Sequence, residues 1–303
     1  MANYLVRGVR GVDITVSNLD FASRFYSEVW NLHAQASEPQ ACYLRGTGRY
    51  HHILGLHAGP KPEILRVVFD VADREKLEAL HRSVTAAKAG PVTPIAALAG
   101  PAGGTGFGCK DPEGRNFAFV TGMADHADTA DAPDRPRKVT HVNLNCGDHE
   151  KTSAYFTDVL NFTMADDTDA LRFMKCGNSD HHSVVLARVK STTLNHIAFE
   201  MPDLDSVMRG AGRLKDAGYP IEWGVGRHGA GNNVFAYFAG PDELPIEYTA
   251  EVMQVDENYK VNGPEYWRFP PGRSDQWGVT GPRSARLLRL WTMWRFSEDG
   301  WKL

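Results

Sequence analysis

Laid over itself with a shift of 130 residues, the chain matches itself, and this internal repeat constrains the fold more than any other feature. RGVDITVSN from Arg10 falls on THVNLNCGD from Thr140, and ASRFYSEVWNL from Ala22 falls on TSAYFTDVLNF from Thr152. The pair His51 and His52 falls on His181 and His182, and LRVVFDV from Leu65 on NHIAFEM from Asn195. With one residue deleted, DPEGRNFAFVT from Asp111 falls on PDELPIEYT from Pro241. A self-match at fixed spacing means two copies of one structural unit.

Within each copy the pattern is strand, helix, strands, given twice. DITVS and VNLNC alternate as half-buried strands, while LDFASRFYSEVW and DHEKTSAYFTDVL carry apolar residues at helical spacing, opened by Asn18 and Asp148 as N-caps. RVVFDVADREKLEALHRSVTAA and HIAFEMPDLDSVMRGAGRLKDAG read as strand, turn and helix, each followed by Gly-rich hairpins. The expected class is α+β, with helices on one sheet face and the other free to curl into a cup. Residues 1–121 form the first domain and 139–258 the second, separated by an acidic, Ala-rich linker, 122–138, that has two prolines and no apolar stripe. Residues 259–303 form a different segment with five of the seven tryptophans, interleaved with arginines. It reads either as packing across the modules or at a subunit contact, or as a lid.

The two copies differ where a metal would need donors. His141, His196 and Glu247 in the second copy correspond to Gly11, Arg66 and Ala118 in the first. Strand parity puts all three opposite the apolar residues beside them: His141 is out of phase with Val142 and Leu144, His196 with Ile197 and Phe199, and Glu247 with Ile246 and Tyr248. A carboxylate on such a position sits in water, pairs with a cation or binds a metal, because burying it unpaired is costly. Two imidazoles and one carboxylate leave about three positions open on an octahedral ion, a set suited to non-haem Fe(II) holding a chelating substrate and dioxygen. Zinc more often closes its site or keeps one position open.

These residues carry a family resemblance. The tandem modules, THVNLN with His141, LNHIAFEM with His196, GRHGAGNNVFAYF and PIEYT with Glu247 resemble the vicinal oxygen chelate superfamily and, within it, the two-domain type I extradiol catechol dioxygenases. The resemblance spans residues 5 to about 255. It implies two tandem domains, each of two βαβββ modules in a cupped, barrel-like sheet, the first metal-free and the second holding Fe(II), or less often Mn(II), through His141, His196 and Glu247. It further implies His182 as acid–base residue, and His228 and Tyr237 as groups that hydrogen-bond the substrate. The partners implied are a catecholic diol and dioxygen, both atoms of which enter a ring-opened semialdehyde or keto acid, and the assembly implied is a homo-oligomer. Which catechol is left open. The rival readings are a glyoxalase-like metal-dependent lyase or isomerase and a non-catalytic small-molecule binding protein of the same superfamily.

Composition narrows the remaining classes. Lys and Arg total 33 against 37 Asp and Glu, so neither nucleic acid nor a membrane surface is the expected partner. The N-terminus lacks the pattern of a signal peptide and no stretch approaches about 18 apolar residues, so a soluble, cytoplasmic protein is expected. Four scattered cysteines without a CxxC pair suit free thiols in a reducing compartment.

Overall fold

The computed structural model describes residues 4–303. The first copy runs β1 (Val6–Val16), α1 (Leu19–Arg24) continuing as a π-helical turn (Phe25–Val29), β2 (His33–Glu38), β3 (Ala41–Arg45) and β4 (Leu54–Ala58). A second βαβββ module follows: β5 (Glu63–Val71), α2 (Arg74–Ala87), β6 (Ala96–Ala97), β7 (Thr105–Lys110) and β8 (Asn116–Thr121). The second copy repeats this with β9 (Lys138–Cys146), α3 (His149–Ala154) and its π-helical turn (Tyr155–Val159), β10 (Thr163–Asp167), β11 (Leu171–Lys175) and β12 (Val184–Arg188), then β13 (Leu194–Glu200), α4 (Leu204–Asp216), β14 (Trp223–Arg227), β15 (Val234–Ala239) and β16 (Pro245–Ala250). The expected caps form: Asn18 accepts from the Phe21 N–H at 2.9 Å and Asp148 from the Lys151 N–H at 3.0 Å.

The described residues form two eight-stranded sheets of identical topology, β2-β3-β4-β1-β5-β8-β7-β6 and β10-β11-β12-β9-β13-β16-β15-β14. In each, two four-stranded modules meet along an antiparallel central pair, β1 with β5 and β9 with β13. The terminal strands of each sheet stay unpaired with one another, so the sheets are cups and not closed barrels. Strand register reproduces the repeat: Gly11 faces Val68, which faces Ala118, while His141 faces Ala198, which faces Glu247.

One hydrophobic core serves both copies. Val142, Leu144, Ile197, Phe199, Ile246 and Tyr248 are all fully buried in it, so the apolar parity of β9, β13 and β16 is as the alternation requires. Trp30, at the end of the first copy's π-helical turn, stacks on Tyr248 of the second at 3.7 Å, and the Tyr248 hydroxyl donates to the Trp30 carbonyl at 2.7 Å. In return, Phe156 and Phe162 of the second copy pack edge-on against Phe117 and Phe69 of the first.

The C-terminal segment straps the two sheets together. After the short helix α5 (Ala285–Leu290), Trp294 accepts from the Leu194 N–H on β13 at 2.9 Å. Ile64 on β5 then donates to the Arg295 carbonyl and accepts from the Ser297 N–H, each at 2.9 Å. All four cysteines are buried free thiols. Among the described residues, no helix is long and apolar enough to cross a membrane.

Candidate metal centre and active site

His141, His196 and Glu247 come from β9, β13 and β16, three neighbouring strands, and converge on one point in the second cup. The His141 and His196 Nε2 atoms are 3.2 Å apart, and Glu247 Oε2 lies 3.4 Å from the first and 3.1 Å from the second. Two donors at right angles, each about 2.1 Å from one ion, are about 3 Å apart, so the three fit a single divalent metal. His196 Nδ1 lies 2.8 Å from the Asn195 amide oxygen, which accepts its proton and leaves Nε2 bare on the inner side. Glu247 is fully buried and neither of its oxygens receives a hydrogen bond from the described residues. Burial alone would raise its carboxyl, but His141 and His196 hold it well below the usual carboxylate range. With Glu247 ionised and His196 Nε2 bare, a divalent cation at the point where the three side chains converge would satisfy them together.

Among the described residues the first cup holds no such set. Gly11, Arg66 and Ala118 occupy the equivalent register positions, and Arg66 Nε lies 3.4 Å from Asp13, so a guanidinium pairs a carboxylate where the second cup gathers its donors.

Around the donors lie the other residues singled out from the sequence. The His182 ring stands 4.5 Å from the His141 ring, and burial, with His141 next, pushes its pKa well below the ordinary value. Gly231 sits at φ +81° against it: a Cβ there would meet His182 Cε1 at 2.8 Å, so only glycine lets this loop press on the ring. His228, just beyond β14, places Nε2 3.1 Å from the Tyr237 hydroxyl and is pushed down to about 4 by burial. Phe235 does not line the cavity: it lies beneath His228, rings stacked at 4.0 Å, and props the imidazole. Tyr237 faces Glu247 across the β15–β16 pair and meets the His196 ring edge-on at 5.1 Å. Burial, then Glu247, raises its phenol well above the ordinary value.

Five of these six residues line a cavity of about 440 Å³, with Glu247 at its base. Its remaining walls include groups to which sequence reasoning assigned no individual role. Phe173 and Trp223 come from strands of the second sheet, and Trp267, Phe269, Arg283 and Trp291 come from the C-terminal segment. That segment packs across both sheets and also supplies part of the cavity wall. The N-cap of α5 fixes where Arg283 stands, because Ser284 donates its N–H to the Glu222 carbonyl at 3.0 Å. The guanidinium lies over Trp223 at 4.2 Å and Trp291 at 5.4 Å, and makes no ion pair with the described residues. No repeat comparison reaches the groups of the C-terminal segment, because that segment has no counterpart in the first copy.

Residues 138–248 match the model of the glyoxalase/bleomycin resistance protein/dioxygenase superfamily. The chain is 31% identical over 122 residues to metapyrocatechase 2 of Cupriavidus necator, a match covering 40% of this chain and 38% of that protein. It is 25% identical over 255 residues to 3-methylcatechol 2,3-dioxygenase of Pseudomonas putida, covering 76% and 84%. A manganese-bound glyoxalase of Novosphingobium aromaticivorans superposes with a TM-score of 0.86 at 34% identity, covering 93% of both chains. With that likeness along nearly its whole length, the chain belongs to the glyoxalase/bleomycin resistance protein/dioxygenase superfamily.

Proposed function

We propose that the protein is a non-haem Fe(II) extradiol dioxygenase that opens the ring of a catechol and incorporates both atoms of dioxygen. The observation that carries this is the convergence of His141, His196 and Glu247 on one point, with His182, His228 and Tyr237 around the same cavity. The ligands are His141, His196 and Glu247; bound iron would supply one ion on which the two vicinal oxygens of the diol and dioxygen are adjacent. His182, neutral through burial, takes a proton from the diol as it binds and returns one later. Tyr237 keeps its phenolic proton and donates it to the substrate oxygen, while His228 Nε2–H donates in turn to the Tyr237 oxygen. Phe173, Trp223 and Trp291 exclude water from the ring. Arg283, cationic and without an acidic partner among the described residues, favours a catechol with an anionic substituent directed toward the C-terminal segment.

The test is oxygen uptake by anaerobically purified, iron-loaded protein against a panel of vicinal diols, with the ring-opened product followed by its visible absorbance. Uptake with a diol is the expected result, and no uptake with any diol would sink the proposal. The likeness to a protein named a glyoxalase supports a second reading, a metal-dependent isomerase. That reading requires turnover of a thiol–oxoaldehyde adduct without oxygen.

A further inference from the structure

Behind His182 lies a chain of buried groups that the reading above leaves unused. His182 Nδ1 is 3.1 Å from His181 Nδ1, and His181 Nε2 is 2.8 Å from Asp166 Oδ2. His182 is 1% exposed, and His181 and Asp166 are both 0% exposed. Asp166 also accepts from the Tyr259 hydroxyl at 3.0 Å, the Asn262 backbone N–H at 2.8 Å and the Asn262 amide at 3.2 Å. Among the described residues no lysine or arginine pairs with it.

Hydrogen-bond inventory sets the direction of this chain. A carboxylate surrounded by N–H and O–H groups is an acceptor, so His181 presents Nε2–H to Asp166. A neutral His181 then has a bare Nδ1, which requires a donor, and the facing group is His182 Nδ1. His182 is left with its proton on Nδ1 and its lone pair on Nε2, which has no hydrogen-bond partner among the described residues.

The first copy supplies an internal control. His51 and His52 reproduce the contact, Nδ1 to Nδ1 at 3.0 Å, but the position of Asp166 opposite Phe173 is held by Ala36 opposite Tyr43. His51 stacks on His126 instead of meeting an acid. The paired imidazoles belong to both copies, whereas the carboxylate occurs only in the copy that gathers the three donors.

We infer that Asp166 and His181 are positioning residues that hold His182 as its Nδ1–H tautomer, with Nε2 bare toward the cavity, and that Tyr259 and Asn262 of the C-terminal segment hold Asp166 in place. The inference rests on the acid–base role proposed for His182. In that role Nε2 forms the new N–H bond as the diol O–H bond breaks, the oxygen keeping the electron pair; the other tautomer offers no lone pair there.

The experiment is two-bond ¹H–¹⁵N correlation spectroscopy of the full-length, metal-free protein with labelled histidines, near neutral pH. The expected spectrum shows His182 protonated at Nδ1 and His181 at Nε2. In His181→Phe and Asp166→Asn the His182 signal moves toward the Nε2–H tautomer, while in the loaded enzyme metal content and KM hold and kcat falls about 10²-fold or more. Tyr259→Phe, which keeps the dyad but loses one bond to Asp166, falls between them and the parent. An Nε2–H tautomer in the parent protein, or an Nδ1–H tautomer that survives His181→Phe, overturns the inference; the parent spectrum decides it even where a variant does not fold. An Nδ1–H parent that consumes no oxygen with any diol defeats the proposed function and leaves the dyad standing.

Discussion

His182 and Tyr237 both border the donors, but they differ in what their loss removes. His182→Asn takes away a proton acceptor without touching a ligand, so iron is retained while kcat drops about 10²-fold or more, read by metal analysis beside steady-state kinetics. Tyr237→Phe removes one neutral hydrogen bond, about 1 kcal/mol, and lowers kcat about 5- to 10-fold in the same assay. A second histidine gives the protein a pH dependence away from the three donors. His52 in the first cup is pushed down to about 4, chiefly by burial, against an ordinary value of 6.5. The unfolded chain therefore binds a proton there as pH falls through 6.5 and the folded one only near 4, so this stability is present above 6.5 and lost between the two. The loss is up to about 3 kcal/mol, and His52→Asn flattens the fall of Tm between pH 7 and 4.5 by that share. The three donors were legible in the sequence because strand parity and a sister copy without donors gave two independent readings of each position. Asp166 was readable by the same comparison, against Ala36, but its partner His181 was not, because its twin His51 stands in the copy without the donors. Arg283 and Trp223 were not readable: what they share is a cavity, and sequence separation carries no trace of it.

Strands of the second copy hold the proposed ligands, but the C-terminal segment shapes what reaches them. Arg283 stands just ahead of α5, whose docking depends on Ser284 and Arg286 against Glu222, with Arg286 3.0 Å from it. Arg283→Leu keeps the aromatic walls and removes the charge. The expected outcome is a KM for carboxylated catechols raised about tenfold or more, with little change for an uncharged catechol, since a hydrogen bond to a charged group contributes about 1.5–3 kcal/mol. Equal effects on both substrates would show that the guanidinium only packs. Alternation and caps located the strands and helices of both copies, because those signals are local. The π-helical turns after α1 and α3 and the path of residues 259–303 are set by long-range contacts, and no local period announces them.

The two copies are one body. Their sheets repeat, yet the helical turn of each is finished by residues of the other, through Trp30 on Tyr248 in one direction and Phe156 on Phe117 in the other. The sequence repeat implied two similar units and could not show that they share a core, since apolar residues look alike whichever copy they face. Trp30→Ala, in the half without donors, is expected to cost about 3–5 kcal/mol and to lower a single unfolding transition shared by both halves, as followed by calorimetry. Two separate transitions would mean independent cores.

The strap from Trp291 to Ser297 walls the cavity of the proposed site at one end and is stitched to β5 by two backbone bonds around Ile64 at the other. Such a ladder peels one rung at a time, whereas a sheet must shear many rungs together. Heat, protease or a pull on the C-terminus would therefore strip the cavity wall first and leave both cups folded. The protein is expected to have a fuse: on a slow temperature ramp turnover fails several degrees before circular dichroism registers the loss of its sheets, and early cooling restores it.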